Sequence, residues 1–149
     1  MQSNSDRDKC LQAAIRLLSR REHSRKELAS KLHSKDYLDK QYIDSILDEL
    51  EASYYLDDQR FAEAFVRSRI NRGQGPQKIQ YELLKKGVDS SLIEQTLQNI
   101  EVDWLDLAKQ QREKRFGVQS PRDYKEQAKQ SRFLAGRGFF SDTIRRVFE

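Results

Sequence analysis

The sequence predicts an all-α protein assembled from tandem three-helix units, and three observations carry that expectation. Apolar residues recur at helical spacing in every long segment, as in Leu11, Ala14, Ile15 and Leu18, or Ile43, Ile46, Leu47 and Leu50. The two prolines and six glycines sit near the turns between those segments. A shift of 51 residues lays Gly87-Val88 on Gly138-Phe139, Leu83 on Leu134, Ser90 on Ser141, Ile93 on Ile144 and Leu97 on Phe148. A similar shift sets Ala14-Ile15 on Phe65-Val66, and Ile43 and Leu47 on Ile93 and Leu97. Such periodicity marks a repeated supersecondary unit. Three helices alone bury little apolar surface, so the units must stack on their neighbours. An elongated molecule with room to curve is expected.

Each element follows from local chemistry. Residues 1–6 are polar and read as frayed, with a first helix over 8–21. Ser24-Arg25-Lys26-Glu27 spells a capping box opening a helix with Leu28 and Leu32 inside. A polar loop over 33–40 leads to a third helix carrying Tyr42 to Leu50. The stretch from Tyr55 to Val88 then reads as two short helices joined by Gly73-Gln74-Gly75. Asp57 or Asp58 can cap the first, Pro76 starts the second with φ already set, and Gly87 closes it. Ser91-Leu92-Ile93-Glu94 is a second capping-box candidate, and Asp103 can cap a helix over 104–116. Ser120-Pro121 reads as a cap with a first-turn proline, opening a helix to about Arg137 that Gly138 stops. Ser141 starts the last. The nine helices divide as 1–56, 57–101 and 102–149.

Composition bounds the function. Charged residues make up 35% of the chain and apolar ones only 36%, which favours thin helical units over one thick core. The single Cys10 excludes an internal disulfide framework and fits a reducing compartment. No apolar run approaches the roughly 20 residues needed to span a bilayer. No signal-like N-terminus is seen, so a cytoplasmic protein without membrane contact is expected. The net charge of +4 is uneven. Residues 1–56 carry ten basic and ten acidic side chains, and 57–101 carry seven of each. Residues 102–149 carry eleven against seven, so the whole excess lies there. It points to a polyanion or an acidic protein surface as partner.

No catalytic residue, metal site or cofactor is expected. His23 and His33 have no Cys or His partner at ligand spacing, and Cys10 lacks a placed base. Asp57-Asp58 has no phosphate-binding loop beside it. Helical-wheel placement sorts the cations. On the helix over 58–72, Arg60 and Arg67 point into solvent, whereas Arg69 lies along the apolar stripe and reads as a packing or ion-pairing residue. On the next helix, Lys78 and Lys85 oppose Ile79 and Leu83. Glu82 stands at i+4 spacing from both Lys78 and Lys86 and would neutralise them in part. The sharpest signal is the face of Lys125, Lys129 and Arg132, opposite Phe133-Leu134 and uninterrupted by acid. Arg145 and Arg146 extend it. Unopposed like charges one turn apart cost on the order of 0.2–0.5 kcal/mol per pair, which a polyanion would offset. The competing reading is a solvated basic face. The six tyrosines offer stacking faces for bases, although burial is their usual fate.

The central block resembles the signature of the RecX family, bacterial regulators of the recombinase RecA. The residues carrying the resemblance are Tyr55-Leu56-Asp57-Asp58, Arg60-Phe61-Ala62, Phe65-Val66, Arg69, Gly73, Gly75-Pro76, Ile79, Glu82-Leu83 and Lys86-Gly87-Val88. Arg21-Glu22-His23-Ser24, Glu27-Leu28, Lys31-Leu32, Arg132-Phe133-Leu134 and Arg137-Gly138-Phe139 extend it. One departure is Tyr54, where the family has glycine, and a tyrosine argues against a left-handed turn there. The resemblance implies three tandem three-helix repeats and inhibition of RecA. It implies lodging in the groove of the RecA–DNA filament, suppression of ATPase and strand exchange, and binding to single- and double-stranded DNA. A monomer without catalytic activity is expected. The alternative is a general DNA-binding protein acting by competition for DNA.

Overall fold

The computed structural model describes residues 2–149. Among them all regular structure is helical: α1 (Gln2–Arg20), α2 (Arg25–His33), a 3-10 turn (Lys40–Tyr42), α3 (Ile43–Ala52), α4 (Asp58–Asn71), α5 (Pro76–Lys85), α6 (Ser90–Asn99), α7 (Trp104–Phe116), α8 (Tyr124–Gly136) and α9 (Ser141–Val147). The helix expected over 8–21 begins at Gln2, so the expected fraying of 2–6 is absent; Met1 lies outside the described residues.

Helices pack in threes around three separate cores. Cys10, Ala14, Leu28, Leu32, Ile46 and Leu50 centre the first. Phe61, Val66, Ile79, Leu83 and Ile93 centre the second, and Ala108, Leu134, Phe139 and Ile144 the third. The accessible surface is 9621 Å² for 17.6 kDa, against about 7,900 Å² for a compact monomer of that mass. That excess is the signature of an elongated string of units.

Caps set the helix starts. Ser24 accepts from the Glu27 N–H, but Glu27 does not reach back, so only half the capping box forms. Asp57, not Asp58, caps α4; Asp58 accepts from the Arg25 N–H at 2.8 Å instead. Burial pushes the Asp58 carboxyl up, and that N–H only partly opposes it. Asp89, not Ser91, caps α6, accepting from the Ser91 N–H. Asp123 rather than Ser120 caps α8, accepting from the Glu126 N–H at 2.8 Å, so Pro121 lies in the preceding loop. Asp103 caps α7 as expected.

The two joints between units differ in chemistry. Units one and two are joined by polar contacts. Ser24 Oγ donates to the Lys86 carbonyl at 2.6 Å. Glu27 accepts from Arg21 at 2.6 Å and Lys86 at 3.2 Å. Arg60 is not free in solvent, since it pairs with Glu22 and donates to the Tyr55 carbonyl. Units two and three are joined backbone to backbone. Gly75 N–H donates to the Arg137 carbonyl at 2.7 Å, and Gln77 N–H to Gly138 at 2.8 Å. A Cβ on Gly75 would sit 2.6 Å from Gly138 backbone; one on Gly138, whose φ is +97°, would sit 2.3 Å from Lys78 Cβ. Only glycine permits that approach at either place. Trp104 packs against both the second and third cores.

Tyr54 adopts φ +64° despite its side chain, so the left-handed turn that its identity argued against does form. The residue is 75% exposed and recovers little by packing. Relief of roughly 1–2 kcal/mol of left-handed strain outweighs the roughly 0.5–1 kcal/mol of added unfolded-state entropy. Tyr54→Gly is therefore expected to stabilise the protein by about 0.5–1 kcal/mol, read as a higher urea midpoint.

Burial would push the Glu27 carboxyl up, but hydrogen bonds from Arg21 and Lys86 overcome it and hold the group at about 2, below its ordinary 4.5. A depressed carboxyl contributes stability that is complete above its unfolded value and lost as pH falls through the folded one. Glu27 thus supplies about 3 kcal/mol near neutrality, lost between about pH 4.5 and 2. Urea denaturation across that window should show this component missing in Glu27→Gln. Asp58 titrates alike in both proteins, so their difference isolates Glu27.

Candidate anion-facing surface

The charge excess of the third unit is sorted by depth. Arg112 is 8% exposed. Its Nε donates to Gln130 Oε1 at 2.8 Å, its Nη2 donates to the Gln119 carbonyl, and its guanidinium lies 5.8 Å from the Phe148 ring. It holds the 117–123 loop and α8 onto α7. Wheel sorting passed it over, although spacing from Trp104 and Ala108 puts it on the inward stripe. Arg137 and Arg115 lie over the Phe133 ring at 5.4 and 5.9 Å.

Lys125, Lys129 and Arg132 share one exposed face of α8, and none forms an ion pair among the described residues. Cap and helix make this row: Asp123 fixes the start, and Leu134 turns the opposite face inward. On α9 Arg146 is exposed and forms no ion pair among the described residues, but Arg145 pairs with Asp142 at 2.8 Å and is partly neutralised.

The cations of the second unit scatter. Arg67 is exposed and lines a hollow of about 490 Å³ with Glu63 and Glu101, between α4 and the end of α6. Arg69 packs as expected, 4.5 Å over Phe65 and 3.3 Å from Glu82. Glu82 is thereby taken from Lys78 and Lys86, and the expected local neutralisation does not occur; Lys86 pairs with Glu27 instead. Lys78 is half-buried, with its stem beside Gly138 at the α8–α9 turn. Lys85 is exposed, 4.8 Å over the Tyr81 ring.

The tyrosines depart from expectation. Tyr37, Tyr54, Tyr55, Tyr81 and Tyr124 are all exposed, and only Tyr42 is half-buried. His23 is buried in the first joint. Its Nδ1 donates to the Arg21 carbonyl at 3.1 Å and its Nε2 accepts from Lys31 at 2.9 Å. Burial lowers its pKa; the hydrogen bond to the Arg21 carbonyl opposes this in part, and the charges of Arg21 and Lys31 add to the lowering. Burial also pushes the Cys10 thiol up, as suits a small apolar core residue.

Fold and surface define a tandem-helical protein: three stacked three-helix units that carry their free positive charge on exposed faces. Residues 10–50, 57–97 and 101–148 match the first, second and third three-helix domains of RecX. The regulatory protein RecX of Halorhodospira halophila is 48% identical over 133 residues, covering 89% of this chain and 82% of that one. That of Serratia proteamaculans is 38% identical, covering 93% and 95%. The crystal structure of RecX from Lactobacillus salivarius superposes with a TM-score of 0.81 at 30% identity, covering 97% and 95% of the two chains. The chain belongs to the RecX family of regulatory proteins.

Arg112 and the α8 row should respond in opposite ways. Arg112→Ala leaves the Gln130 amide oxygen buried without its partner, so a loss of about 2–4 kcal/mol is expected. Lys125→Ala, Lys129→Ala and Arg132→Ala should each stay within about 0.5 kcal/mol. Urea denaturation of the four variants checks this.

Proposed function

We propose that this protein is a non-catalytic negative regulator of RecA. It docks by its basic helical surface on the RecA–DNA filament and inhibits ATPase, strand exchange and filament growth. The observation that carries the reading, beside the family, is the unneutralised row of Lys125, Lys129 and Arg132 on α8. A helix that tolerates like charges one turn apart is suited to a partner that supplies the missing negative charge. Arg146, Lys85 and Lys78 are further candidate contacts, on other helices; Arg145 and Arg67, each beside acids, contribute less. An elongated string of units matches a long cleft better than a small ligand site. Among the described residues no helix is long and apolar enough to cross a membrane, which agrees with action on a cytoplasmic filament. Each molecule acts as a monomer along that cleft.

Competition for DNA alone is the second reading, and the positive charge of the third unit gives it weight. The two differ in their response to salt. Binding to duplex DNA by counterion release falls by roughly 0.9 log units per log unit of salt for each phosphate neutralised. A contact made largely with protein falls less. The deciding experiment is a titration of RecA ATPase on single-stranded DNA with this protein added, repeated across salt. Inhibition at a constant ratio to RecA as DNA is raised supports docking on the filament; inhibition abolished by excess DNA supports competition. The combined Lys125→Ala, Lys129→Ala, Arg132→Ala variant should inhibit at least about tenfold less well, about 1.4 kcal/mol of docking energy, with unchanged helicity. Undiminished inhibition would show that another face makes the contact.

A further inference from the structure

Lys31 and His23 form a pair that the docking surface does not use. Lys31 Nζ lies 2.9 Å from His23 Nε2, and His23 Nδ1 lies 3.1 Å from the Arg21 carbonyl. A carbonyl only accepts, so the ring proton sits on Nδ1 and Nε2 turns a free lone pair towards the amine. His23 is 2% exposed and fixed in this tautomer from behind. Ser24 starts α2, and Lys31 follows about two turns later, on the same face as Glu27. Lys31 is only half-buried, so a small reagent in solution can reach it. Its surroundings are cationic. Arg21 and Lys86 share the one carboxylate of Glu27. Arg20, exposed at the end of α1, forms no ion pair among the described residues. Burial and then Arg21 lower the Lys31 pKa; Glu27 opposes this in part, and Lys86 and Arg20 add to the lowering. More of this amine is therefore neutral and nucleophilic than in an ordinary lysine at the same pH.

We infer that Lys31 is an acylation site that takes its acyl group from a small acyl phosphate, with His23 as the proton acceptor. The negative phosphate of the donor is drawn to Arg20, Arg21 and Lys86, which concentrates it around Nζ. Nζ attacks the acyl carbon and an N–C bond forms. The bond from that carbon to the bridging oxygen breaks, and inorganic phosphate leaves with the electron pair. The surplus proton on nitrogen passes to His23 Nε2, whose lone pair already faces it, and from there to water. A neutral ring is needed for that step, because an imidazolium could accept nothing. In the product the remaining amide N–H donates to Nε2 in place of the ammonium. The buried ring nitrogen thus keeps a partner, and the fold has no reason to reject the modified side chain. Acylation removes one positive charge from the first joint and leaves Glu27 its bonds to Arg21 and Lys86. The inference stands apart from the filament reading, since its chemistry involves neither RecA nor DNA.

The probe is acetyl phosphate, added to the wild-type protein at neutral pH, with acetylation of each lysine followed by tandem mass spectrometry. Lys31 should react at least about tenfold faster than Lys9, Lys109 and Lys114, a modest share of what a placed base supplies. Those three are the more exposed, so access alone predicts the opposite order. As pH rises, the Lys31 rate should reach half its plateau below the ordinary lysine value of 10.5, because a lowered pKa frees the amine sooner. With p-nitrophenyl acetate, an uncharged donor, the preference for Lys31 should shrink at least about threefold, since recruitment of the anion is lost. His23→Gln keeps a hydrogen-bond acceptor but no proton acceptor, and should bring Lys31 down to the rate of the exposed lysines with helicity unchanged. The three wild-type measurements do not depend on how that variant folds. Lys31 reacting no faster than the exposed lysines, a half-plateau at or above the ordinary value, or equal preference with both donors would each overturn the site. A folded His23→Gln protein that keeps the wild-type rate would do the same.

Discussion

The backbone-to-backbone dock between the α4–α5 turn and the α8–α9 turn is the constraint on which the shape of the molecule depends. Each three-helix unit owns only a small core, so the relative placement of units rests on what passes between them. At the second joint two glycines let main chains approach until amides and carbonyls bond directly, at 2.7 and 2.8 Å. Such a contact has no rotamers to reorganise, and Trp104 links the same two units by packing against both cores. The first joint is of another kind. Its contacts are side-chain ion pairs and hydrogen bonds around Glu27, Ser24 and Asp58, which respond to salt and acid. One end of the molecule is thus fixed by sterics and the other by charge.

That division explains which parts of the fold were legible in the sequence. Helix stops at glycine, the caps at Asp57 and Asp103, and the apolar stripes are local chemistry, read within four residues. So is the 51-residue shift, because it lays the α5–α6 turn at Gly87 on the α8–α9 turn at Gly138. The misplaced start of α8 has a local cause as well. Ser120 and Asp123 both carry capping side chains, and Pro121 drew the reading to the first. Asp123 prevails through its bond to the Glu126 N–H. The first joint was illegible for a different reason. Its partners, Arg60 with Glu22 and Lys86 with Glu27, are separated by 38 and 59 residues. Local spacing instead assigned Glu82 to its own helix.

The exposed tyrosines and Tyr54 show the limit of composition rules. In a chain of thin units there is not enough interior for every large ring. Tyr37, Tyr55, Tyr81 and Tyr124 therefore stay at the surface, whatever their usual fate in thicker domains. Tyr54 keeps a glycine's backbone conformation because the N–H groups of Tyr55 and Leu56 both bond back to the Leu50 carbonyl. That closure of α3 outweighs the strain it imposes on one residue.

Depth then separates arginine from lysine. Arg112, Arg69, Arg137 and Arg115 lie against aromatic rings, and Arg112 and Arg69 are also hydrogen-bonded or ion-paired. Their weakly hydrated, planar heads lose little on partial burial. Lys125 and Lys129 are exposed on α8 and form no ion pair among the described residues. The consequence is a division by depth: Arg112 fastens loop to helix, Arg69 helix to helix and Arg137 unit to unit, whereas the lysines of α8 leave their charge in solvent.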